Sequence, residues 1–300
     1  MDKYIKFINE NNLGKVYNDK KFKDITTLKV GGKIKFLFYP SSTSNFIKFY
    51  RWYLRYKDYK ILIVGNGSNI LASDDEYDGI VVSFKNIHEI NVVNNIITAS
   101  SGVMGYKVSN LCKELSLSGG EFLSAIPGTI GGICAMNASC YRQGIEDILI
   151  ECLCLDGEKV KWIKKDDFKF NYRSSIAKIR NIIILKVKMI FKKSTKKLVE
   201  DRIKYIISIK RKNQPLNENS AGSVFINDGY NAWEVVKDLN IKSKYKDVVI
   251  SDKHYNFIIN KNNASGNDIK ELIKEIKEKA LKEKDIKLKT EWNFINFKEK

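Results

Sequence analysis

Residues 217–228, "NENSAGSVFIND", place two serine hydroxyls three positions apart around a glycine. A serine takes part in proton transfer or nucleophilic attack only when neighbouring groups orient and activate it. The usual activating residue is histidine, but His88 and His254 are both distant in sequence from Ser220 and Ser223. The segment is therefore either a polar turn or the site of a serine that delivers a proton without a histidine beside it.

Two glycine-rich segments could bring backbone N–H groups close to a phosphate, because glycine permits tight turns. In "ILIVGNGSNI" a predicted strand runs into Gly65 and Gly67, but the third glycine of a dinucleotide fingerprint is missing and another strand follows. The second segment, "IPGTIGGICAMNAS", opens onto small uncharged residues and a predicted helix start, which suits an anion. These physical arguments leave two interpretations open: a nucleotide pyrophosphate held without Arg or Lys, and two tight turns in a β-rich core.

Three parts of the chain must position these residues. Residues 1–58 read as a short helix, strands and a helix with an aromatic stripe at core spacing; residues 59–192 read as short strands interrupted by one helix. Residues 193–300 read as helices around one strand, "NFIIN", ending in the Lys/Glu helix "GNDIKELIKEIKEKALKEK". The pattern predicts a mixed α+β chain with a boundary near residues 190–200.

The net charge of +18 raises the possibility of a nucleic-acid or membrane-surface protein. Only seven of the 53 basic residues are arginine, the residue that bidentate phosphate recognition favours. The lysines are spread along the chain, so we interpret them as solvated charges whose field draws in small anionic substrates. No apolar run approaches the roughly 18 residues of a membrane-spanning helix, and the N-terminal residues do not resemble a signal peptide. We expect a cytoplasmic monomer with no nucleic-acid or membrane partner.

The five cysteines include no C-x-x-C pair, and their odd number does not indicate a disulfide framework. In "ILIECLCLDG", Cys152 and Cys154 fall on one face of a predicted strand, where a free cysteine acts as a small buried hydrophobe. With only two histidines in the chain, no metal site is expected.

Five segments occur in the same order as the hallmark motifs of the UDP-N-acetylenolpyruvoylglucosamine reductase family, which the chain resembles from about residue 26 to residue 291. They are "VGNGSNILASDDEYDGIVV", "EFLSAIPGTIGGICAMNASCY", "NYRSS", "QPLNENSAGSVF" and "SDKHYNFIIN". The resemblance implies an α+β protein with a vanillyl-alcohol-oxidase-like (PCMH-type) FAD-binding domain and a C-terminal α+β substrate domain. Residues 1–58 and 59–192 would be the two FAD-binding subdomains, and 193–300 the substrate domain, whose last residues could return to the first subdomain.

The resemblance also implies the cofactors and their contacts. Members of the family use NADPH to reduce FAD and act on a UDP-sugar that carries an enolpyruvyl ether. The residues that match the family's FAD-binding positions are Gly65, Asn66, Gly67, Ser68, Asn69, Ile126, Pro127, Gly128, Thr129, Gly131, Gly132 and Asn137.

Three residues match the family's catalytic positions. Hydride addition to the enolpyruvyl double bond places negative charge on the carbon that bears the carboxylate, and this charge needs a fixed cation or a strong donor. Arg173 in "NYRSS" matches the arginine that meets it, and Glu291 in "LKTEW" matches the acidic partner near the same oxygens. Ser223 matches the proton donor, because a strongly basic carbanion needs only a nearby, oriented proton. Ser220 would shape the turn.

The chain departs from the family pattern at three places. Asp228 stands where a proline is usual after "SVFIN", and Tyr255 stands where a small alanine is common, so a loosened loop and a crowded site are expected there. Ser139, Cys140 and Arg142 replace a run of small and glycine residues, which puts the flavin contacts of that segment in question. The chain also lacks an extra loop of one subgroup and is closer to the shorter, second type.

Two alternative functions are an FAD-dependent oxidase and a protein that binds RNA or a membrane surface. A related FAD-dependent oxidase of a small alcohol or hydroxy acid would often tether its flavin through histidine or cysteine, but neither His88 nor Cys140 lies in a recognisable attachment motif. A basic RNA- or membrane-surface-binding protein would need clustered arginine and aromatic residues. The segment "YRWYLRY" is the nearest match, and its spacing is typical of a buried helix face.

Overall fold

The computed structural model describes residues 2–298, which fold into two compact α+β units. The strands are β1 (Gly14–Tyr17), β2 (Ile34–Pro40), β3 (Lys60–Val64), β4 (Ile70–Ala72), β5 (Tyr77–Ser83), β6 (Ile90–Val93), β7 (Ile96–Ser100), β8 (Leu117–Ser118), β9 (Ser139–Cys140), β10 (Gln143–Gly144), β11 (Leu149–Asp156), β12 (Lys159–Lys164), β13 (Ile183–Ile190), β14 (Lys192–Lys193), β15 (Val248–Ile250), β16 (Ile258–Asn260) and β17 (Asn293–Ile295).

The helices among these residues are mostly short. They are α1 (Asp2–Glu10), α2 (Phe22–Ile25), α3 (Thr43–Tyr53), α4 (Gly105–Glu114), α5 (Ile130–Ala135), α6 (Ile145–Ile148), α7 (Ile176–Ile179), α8 (Lys196–Asn213), α9 (Ala232–Asp238) and α10 (Gly266–Lys284), with 3-10 turns at Glu121–Ala125 and Lys165–Phe168. The predicted mixed α+β content is confirmed.

The first unit consists of Met1–Asn18, Phe36–Asn66 and Gly79–Ile209. One of its two cores lies beneath the β1–β2–β5–β3 sheet, where α1 and α3 pack against each other. The Phe7 and Trp52 rings stack at 4.2 Å, and Phe46 and Phe49 are fully buried. The aromatic stripe of "TSNFIKFYRWYLRY" is therefore a core face, as its spacing predicts, and Tyr53 of "YRWYLRY" belongs to that buried face.

The second core of this unit lies on the antiparallel sheet β12–β11–β13–β7–β6, which α4 and α5 cover. Strand β11 pairs with β12 on one side and with β13 on the other. Because side chains alternate along a strand, Cys152 and Cys154 point to the same face, and both are completely buried. This confirms their expected role as small core hydrophobes, and burial raises the pKa of the Cys152 thiol.

The second unit consists of Asp19–Lys35, Gly67–Asp78 and Lys210–Lys300. Its core lies between α9, α10 and the β15–β16 pair. The Lys/Glu helix predicted from "GNDIKELIKEIKEKALKEK" is confirmed as α10, which buries one apolar face. Its first turn is capped twice, by the Ser265 hydroxyl and by the Asp74 carboxylate, which accepts from the Gly266 and Asn267 N–H groups at 2.9 and 3.1 Å.

The second unit contains residues 19–35 and 67–78, which come from the N-terminal part of the chain. The division into residues 1–58, 59–192 and 193–300 stays a prediction, and residues 1, 299 and 300 lie outside the described part. Along residues 2–298, no helix is both long enough and apolar enough to cross a membrane. The same residues include no cluster of three or more His, Cys, Asp or Glu side chains that could hold a metal ion.

Candidate active site

The two glycine segments meet inside the first unit. Strand β3 ends at Val64, and the Asn66 amide then donates a hydrogen bond to the Pro127 carbonyl over 2.7 Å. A Cβ atom on Gly65 would lie 2.6 Å from the Thr129 hydroxyl oxygen, so only glycine allows this approach. The bonded residues are 61 positions apart in sequence, so the fold brings the two glycine segments side by side.

Tight packing continues into α5. The Thr129 hydroxyl oxygen accepts from the Gly132 N–H over 3.4 Å and thereby caps the helix. The Gly131 N–H donates to the Ser101 carbonyl over 3.0 Å, and a Cβ on Gly131 would lie 2.6 Å from the Ser101 Cβ. The helix therefore begins in contact with the loop that follows β7.

The donor set of these loops fits FAD. Within residues 2–298, the backbone N–H groups of Asn66, Gly128 and Thr129 donate to no protein acceptor. Residues 124–139 carry no charged side chain, so an anion here would be bound by backbone dipoles. Ile126 is half-buried and Pro127 is exposed beside these donors. A pyrophosphate with apolar neighbours matches this environment.

The remaining residues of the first glycine segment belong to the second unit. Gly67 has φ +65°, and a Cβ there would lie 2.5 Å from the Ile25 carbonyl oxygen. The Gly67 carbonyl accepts from the Thr27 N–H over 3.2 Å, and the half-buried Ser68 follows. The Asn69 amide donates to the Glu291 carbonyl over 3.1 Å. This end of the segment is thus tied to one of the three expected catalytic residues.

Arg173 occupies a tight turn of the first unit. The N–H of Asn171 donates to the Ser174 carbonyl over 3.0 Å, and the reverse bond is 3.1 Å. Arg173 has φ +52°, a left-handed value that costs a non-glycine residue free energy and often marks a functional position. The Asn137 amide donates to the Asn171 carbonyl over 3.2 Å. The expected flavin residue Asn137 therefore fastens the turn that carries Arg173.

The three residues expected to disturb the flavin side form a hairpin. Strands β9 and β10 pair Ser139 with Gly144 and Cys140 with Gln143. The two residues between them, Tyr141 and Arg142, have φ +51° and +62°, the signs of a type I′ turn. The Cys140 thiol donates to the Phe122 carbonyl over 3.4 Å. The departures from the family pattern thus build an ordered turn.

Ser223 lies on an extended segment of the second unit. Its backbone bridges to Phe257, and the neighbouring Val224 N–H donates to the Asn256 carbonyl over 2.9 Å. Gly222 has φ +79°, and its N–H donates to the Ser220 hydroxyl over 3.3 Å. Ser220 therefore shapes the turn, as expected, and leaves Ser223 half-buried on the extended segment that follows.

Glu291 lies directly beside this segment. Its backbone N–H donates to the Val224 carbonyl over 2.8 Å, and Thr290 bridges to Phe225. Ser223 and Glu291 are therefore on neighbouring extended stretches although they are 68 positions apart in sequence. Arg173 belongs to the first unit.

Two asparagines of "HYNFIIN" fix segments of the second unit, and sequence reasoning did not select either of them. The buried Asn256 side chain donates to the Phe225 carbonyl over 2.8 Å and accepts from the Phe225 N–H over 2.9 Å. Asn260, fully buried, donates to the Leu28 carbonyl over 3.0 Å. The available signal was an amide at each end of an apolar strand, since a buried amide needs partners.

The other two departures have local structural consequences. The Asp228 carboxylate pairs with the Lys289 ammonium at 2.6 Å, and this raises the pKa of Lys289. The Ile226 N–H also donates to the Lys289 carbonyl, so the loop is held from the same residue. The Tyr255 ring packs edge-on against Trp233 at 5.8 Å. Asp228 and Tyr255 therefore both contact side chains of the second unit.

Comparison with known proteins first defines a class. Residues 34–159 match the family model of an FAD binding domain, and residues 214–295 match the C-terminal domain of UDP-N-acetylenolpyruvoylglucosamine reductase. The solved structure of UDP-N-acetylenolpyruvylglucosamine reductase from Thermus caldophilus superimposes with a TM-score of 0.80 at 24% identity, over 94% of this chain and 98% of that one. Together they define an FAD-binding flavoprotein oxidoreductase and confirm the vanillyl-alcohol-oxidase-like fold.

Relatives of similar length then define the family. The UDP-N-acetylenolpyruvoylglucosamine reductase of Clostridium tetani is 34% identical over 97% of this chain and 97% of its own. That of Orientia tsutsugamushi (strain Ikeda) is 32% identical over 95% and 96% of the two chains. The chain belongs to the UDP-N-acetylenolpyruvoylglucosamine reductase family.

Proposed function

We propose that the chain is an NADPH-dependent flavoprotein reductase that converts UDP-N-acetylglucosamine enolpyruvate to UDP-N-acetylmuramate, a peptidoglycan precursor. The observation that carries the proposal is the placement of a half-buried serine, Ser223, on the extended segment that pairs with Glu291. The name and the nearly full-length similarity of the relatives support the same reaction.

The three candidate catalytic residues would divide the reaction among them. FAD, once bound and reduced by NADPH, supplies the hydride for the enolpyruvyl double bond. Arg173 binds the substrate carboxylate and meets the negative charge that develops on it. Glu291 would supply the acidic partner that the resemblance implies. Ser223 gives its hydroxyl proton to the carbon next to the carboxylate, which completes the saturated lactyl ether.

The FAD contacts are proposed from the geometry of each unit. In the first unit, the backbone donors of Asn66, Gly128 and Thr129 would receive the pyrophosphate. Close packing makes glycine necessary at Gly65 and Gly131, whereas Asn137 holds the neighbouring turn. The other proposed contacts are Gly67, Ser68, Asn69, Ile126, Pro127 and Gly132.

A direct experiment tests the reaction. The purified protein should carry FAD, and NADPH should bleach its absorbance under anaerobic conditions. Addition of UDP-N-acetylglucosamine enolpyruvate should then restore the absorbance with formation of one equivalent of UDP-N-acetylmuramate. UDP-N-acetylglucosamine, which lacks the enolpyruvyl ether, should leave the flavin bleached. A flavin that an alcohol or hydroxy acid bleaches and oxygen reoxidises, and that UDP-N-acetylglucosamine enolpyruvate leaves bleached, would instead support the oxidase alternative.

Substitution of Ser223 tests the assignment of the proton donor. Ser223→Ala should keep FAD binding and NADPH-driven bleaching, because neither step needs the hydroxyl proton. Substrate-driven reoxidation should slow by about 10²- to 10⁴-fold, the usual contribution of a positioned proton donor. Ser208→Ala, which removes an exposed hydroxyl from α8, is the control and should behave as the parent. Parent-like turnover by Ser223→Ala would assign the proton to another group.

The cellular location and the oligomeric state are the last parts of the proposed function. A cytoplasmic enzyme that works as a monomer remains our expectation from the sequence. Size-exclusion chromatography with light scattering would measure the assembly state directly.

A further inference from the structure

Several hydrogen bonds fix the backbone of the turn that carries Arg173. Two hydrogen bonds close the turn from Asn171 to Ser174, and the Asn137 amide fastens the Asn171 carbonyl. The hydroxyl of the completely buried Ser175 donates a hydrogen bond to the Ala135 carbonyl over 2.8 Å. These contacts hold the arginine's Cα in one place, but they do not reach its side chain.

A fixed backbone does not by itself fix a guanidinium group. The arginine side chain is long and has several rotatable bonds, so its head group can occupy many positions from one Cα. A hydroxyl and an aromatic ring both contact the head group. The Ser139 hydroxyl oxygen accepts from Arg173 Nη1 over 3.1 Å, and the guanidinium carbon lies 5.3 Å from the centre of the Tyr172 ring.

The backbone of Ser139 is itself fixed. It pairs with Gly144 in the β9–β10 hairpin, and the strands approach so closely that a Cβ on Gly144 would lie 3.0 Å from the Ser139 Cβ. The Cys140 thiol bonded to the Phe122 carbonyl holds the next residue. The hydroxyl that reaches Arg173 therefore projects from an ordered hairpin.

Position 139 is also one of the places where the sequence departs from the family pattern. A glycine there has no side chain to offer, and an alanine has no acceptor for the guanidinium. The serine adds one acceptor oxygen within reach of the Arg173 guanidinium. Since a hydroxyl is neutral, this bond orients the guanidinium without adding a competing negative charge.

We propose that Ser139 is a positioning residue that holds the Arg173 guanidinium in the orientation that receives the substrate carboxylate. This inference rests on the proposed function, in which Arg173 binds that carboxylate. Ser139 acts through Arg173 and takes no part in flavin reduction by NADPH. The β9–β10 hairpin, which the sequence suggested would disturb flavin contacts, thus orients a residue that binds the substrate.

The kinetic signature follows from the task of Arg173. Charge builds up on the carboxylate in the transition state, so a misplaced guanidinium loses more there than in the bound substrate. Removal of the hydroxyl should lower kcat about three- to tenfold with a smaller change in KM, whereas NADPH-driven bleaching should keep its rate.

The experiment compares Ser139→Ala with Ser139→Thr, which restores a hydroxyl, and with the control Ser208→Ala. Stopped-flow traces should show a slower substrate half-reaction for Ser139→Ala only. A parent-like rate in Ser139→Ala, an equal loss in Ser139→Thr, or an equal loss in both half-reactions would each overturn the proposal. The last outcome would make Ser139 a flavin contact instead.

Crystal structures give a readout that does not depend on activity. Arg173 should occupy one conformer bonded to residue 139 in the parent and in Ser139→Thr, and several conformers in Ser139→Ala. A single unmoved guanidinium in Ser139→Ala would overturn the proposal even if the variant were slow. If the parent reduced its flavin but left the UDP-sugar unchanged, the proposed function would fail, and the crystal structures would still decide the positioning role.

Discussion

Single side chains replace regular secondary structure around the candidate proton donor. The Asn256 amide makes both hydrogen bonds that an adjacent strand would offer to Phe225, two residues after Ser223. A buried amide that lost either bond would leave a polar group unpaired, which costs roughly 1–3 kcal/mol. Ser223 is therefore held by a residue outside its own segment.

His254 is close to the same segment and has an unusual environment. Its backbone carbonyl accepts from the Phe257 N–H, and its ring lies 4.7 Å from the Phe257 ring and 6.4 Å from Trp233. Burial disfavours the charged imidazolium and lowers the pKa of His254 below its ordinary value of 6.5. The side chain is therefore neutral in the folded protein at a pH where the unfolded chain begins to bind a proton.

This difference predicts a loss of stability in mild acid. As the pH falls through about 6.5, His254 becomes protonated in the unfolded state but stays neutral in the folded state. The free energy of unfolding therefore decreases. His254→Gln should lose less stability than the parent between about pH 7.5 and about pH 5.5, measured by urea denaturation of the flavin-free protein. His88→Gln, at an exposed position, is the matched control and should keep the parent's pH response. Equal pH responses of parent and His254→Gln would refute the assignment.

At the scale of elements, helix α5 joins the second glycine segment to the core of the first unit. Its two consecutive glycines have different surroundings. A Cβ on Gly131 would collide with Ser101, whereas a Cβ on Gly132 would meet only the Thr129 hydroxyl, at an ordinary 3.5 Å. Both residues are helical, so the difference between them is a difference in packing.

The pair provides a matched test of that packing. Gly131→Ala should destabilise the flavin-free protein by about 1–3 kcal/mol, because the helix start must move away from Ser101. Gly132→Ala should be neutral or stabilising by up to about 1 kcal/mol, since alanine favours a helix. Urea midpoints of the two variants measure both effects. Equal destabilisation by the two substitutions would show that backbone freedom, and not the Ser101 contact, requires glycine at position 131.

At the scale of the whole molecule, the net charge of +18 is distributed over two units with many surface ion pairs. Lysines and acidic residues four positions apart pair on α8 and α10, as at Lys197–Asp201 and Lys274–Glu278. Exposed pairs of this kind contribute little stability. The excess positive charge acts mainly on dissolved anions, and both NADPH and a UDP-sugar are anions.

Salt should therefore weaken substrate capture. The Debye length falls from about 30 Å at roughly 0.01 M salt to about 8 Å at roughly 0.15 M, which screens the distant lysines. We expect kcat/KM for the UDP-sugar to fall several-fold over this range, with a smaller change in kcat. Sucrose at equal osmolality is the control and should leave kcat/KM unchanged. A salt-independent kcat/KM would mean that the lysines do not steer the substrate.

Local patterns in the sequence were sufficient to predict the longer helices and most of the longer strands. The period of α10, the aromatic face of α3 and the alternation of β11 each depend on residues close in sequence, and all three predictions are confirmed. The β9–β10 hairpin was not predicted, because Tyr141 and Arg142 are not residues that favour positive φ. The Asn256 clamp was missed because it joins segments 31 residues apart.

The sequence by itself determined the family, since the ordered motifs from "VGNGSN" to "SAGSVF" identify FAD loops and a candidate serine without reference to any contact. It also determined the core faces, because hydrophobic period follows from local geometry. Only the tertiary structure decided which residues meet: Gly65 with Thr129, the Ser223 segment with Glu291, and Arg173 with Ser139. Hydrogen bonds between distant segments depend on how the chain closes its loops, and no local pattern of residue types encodes that closure.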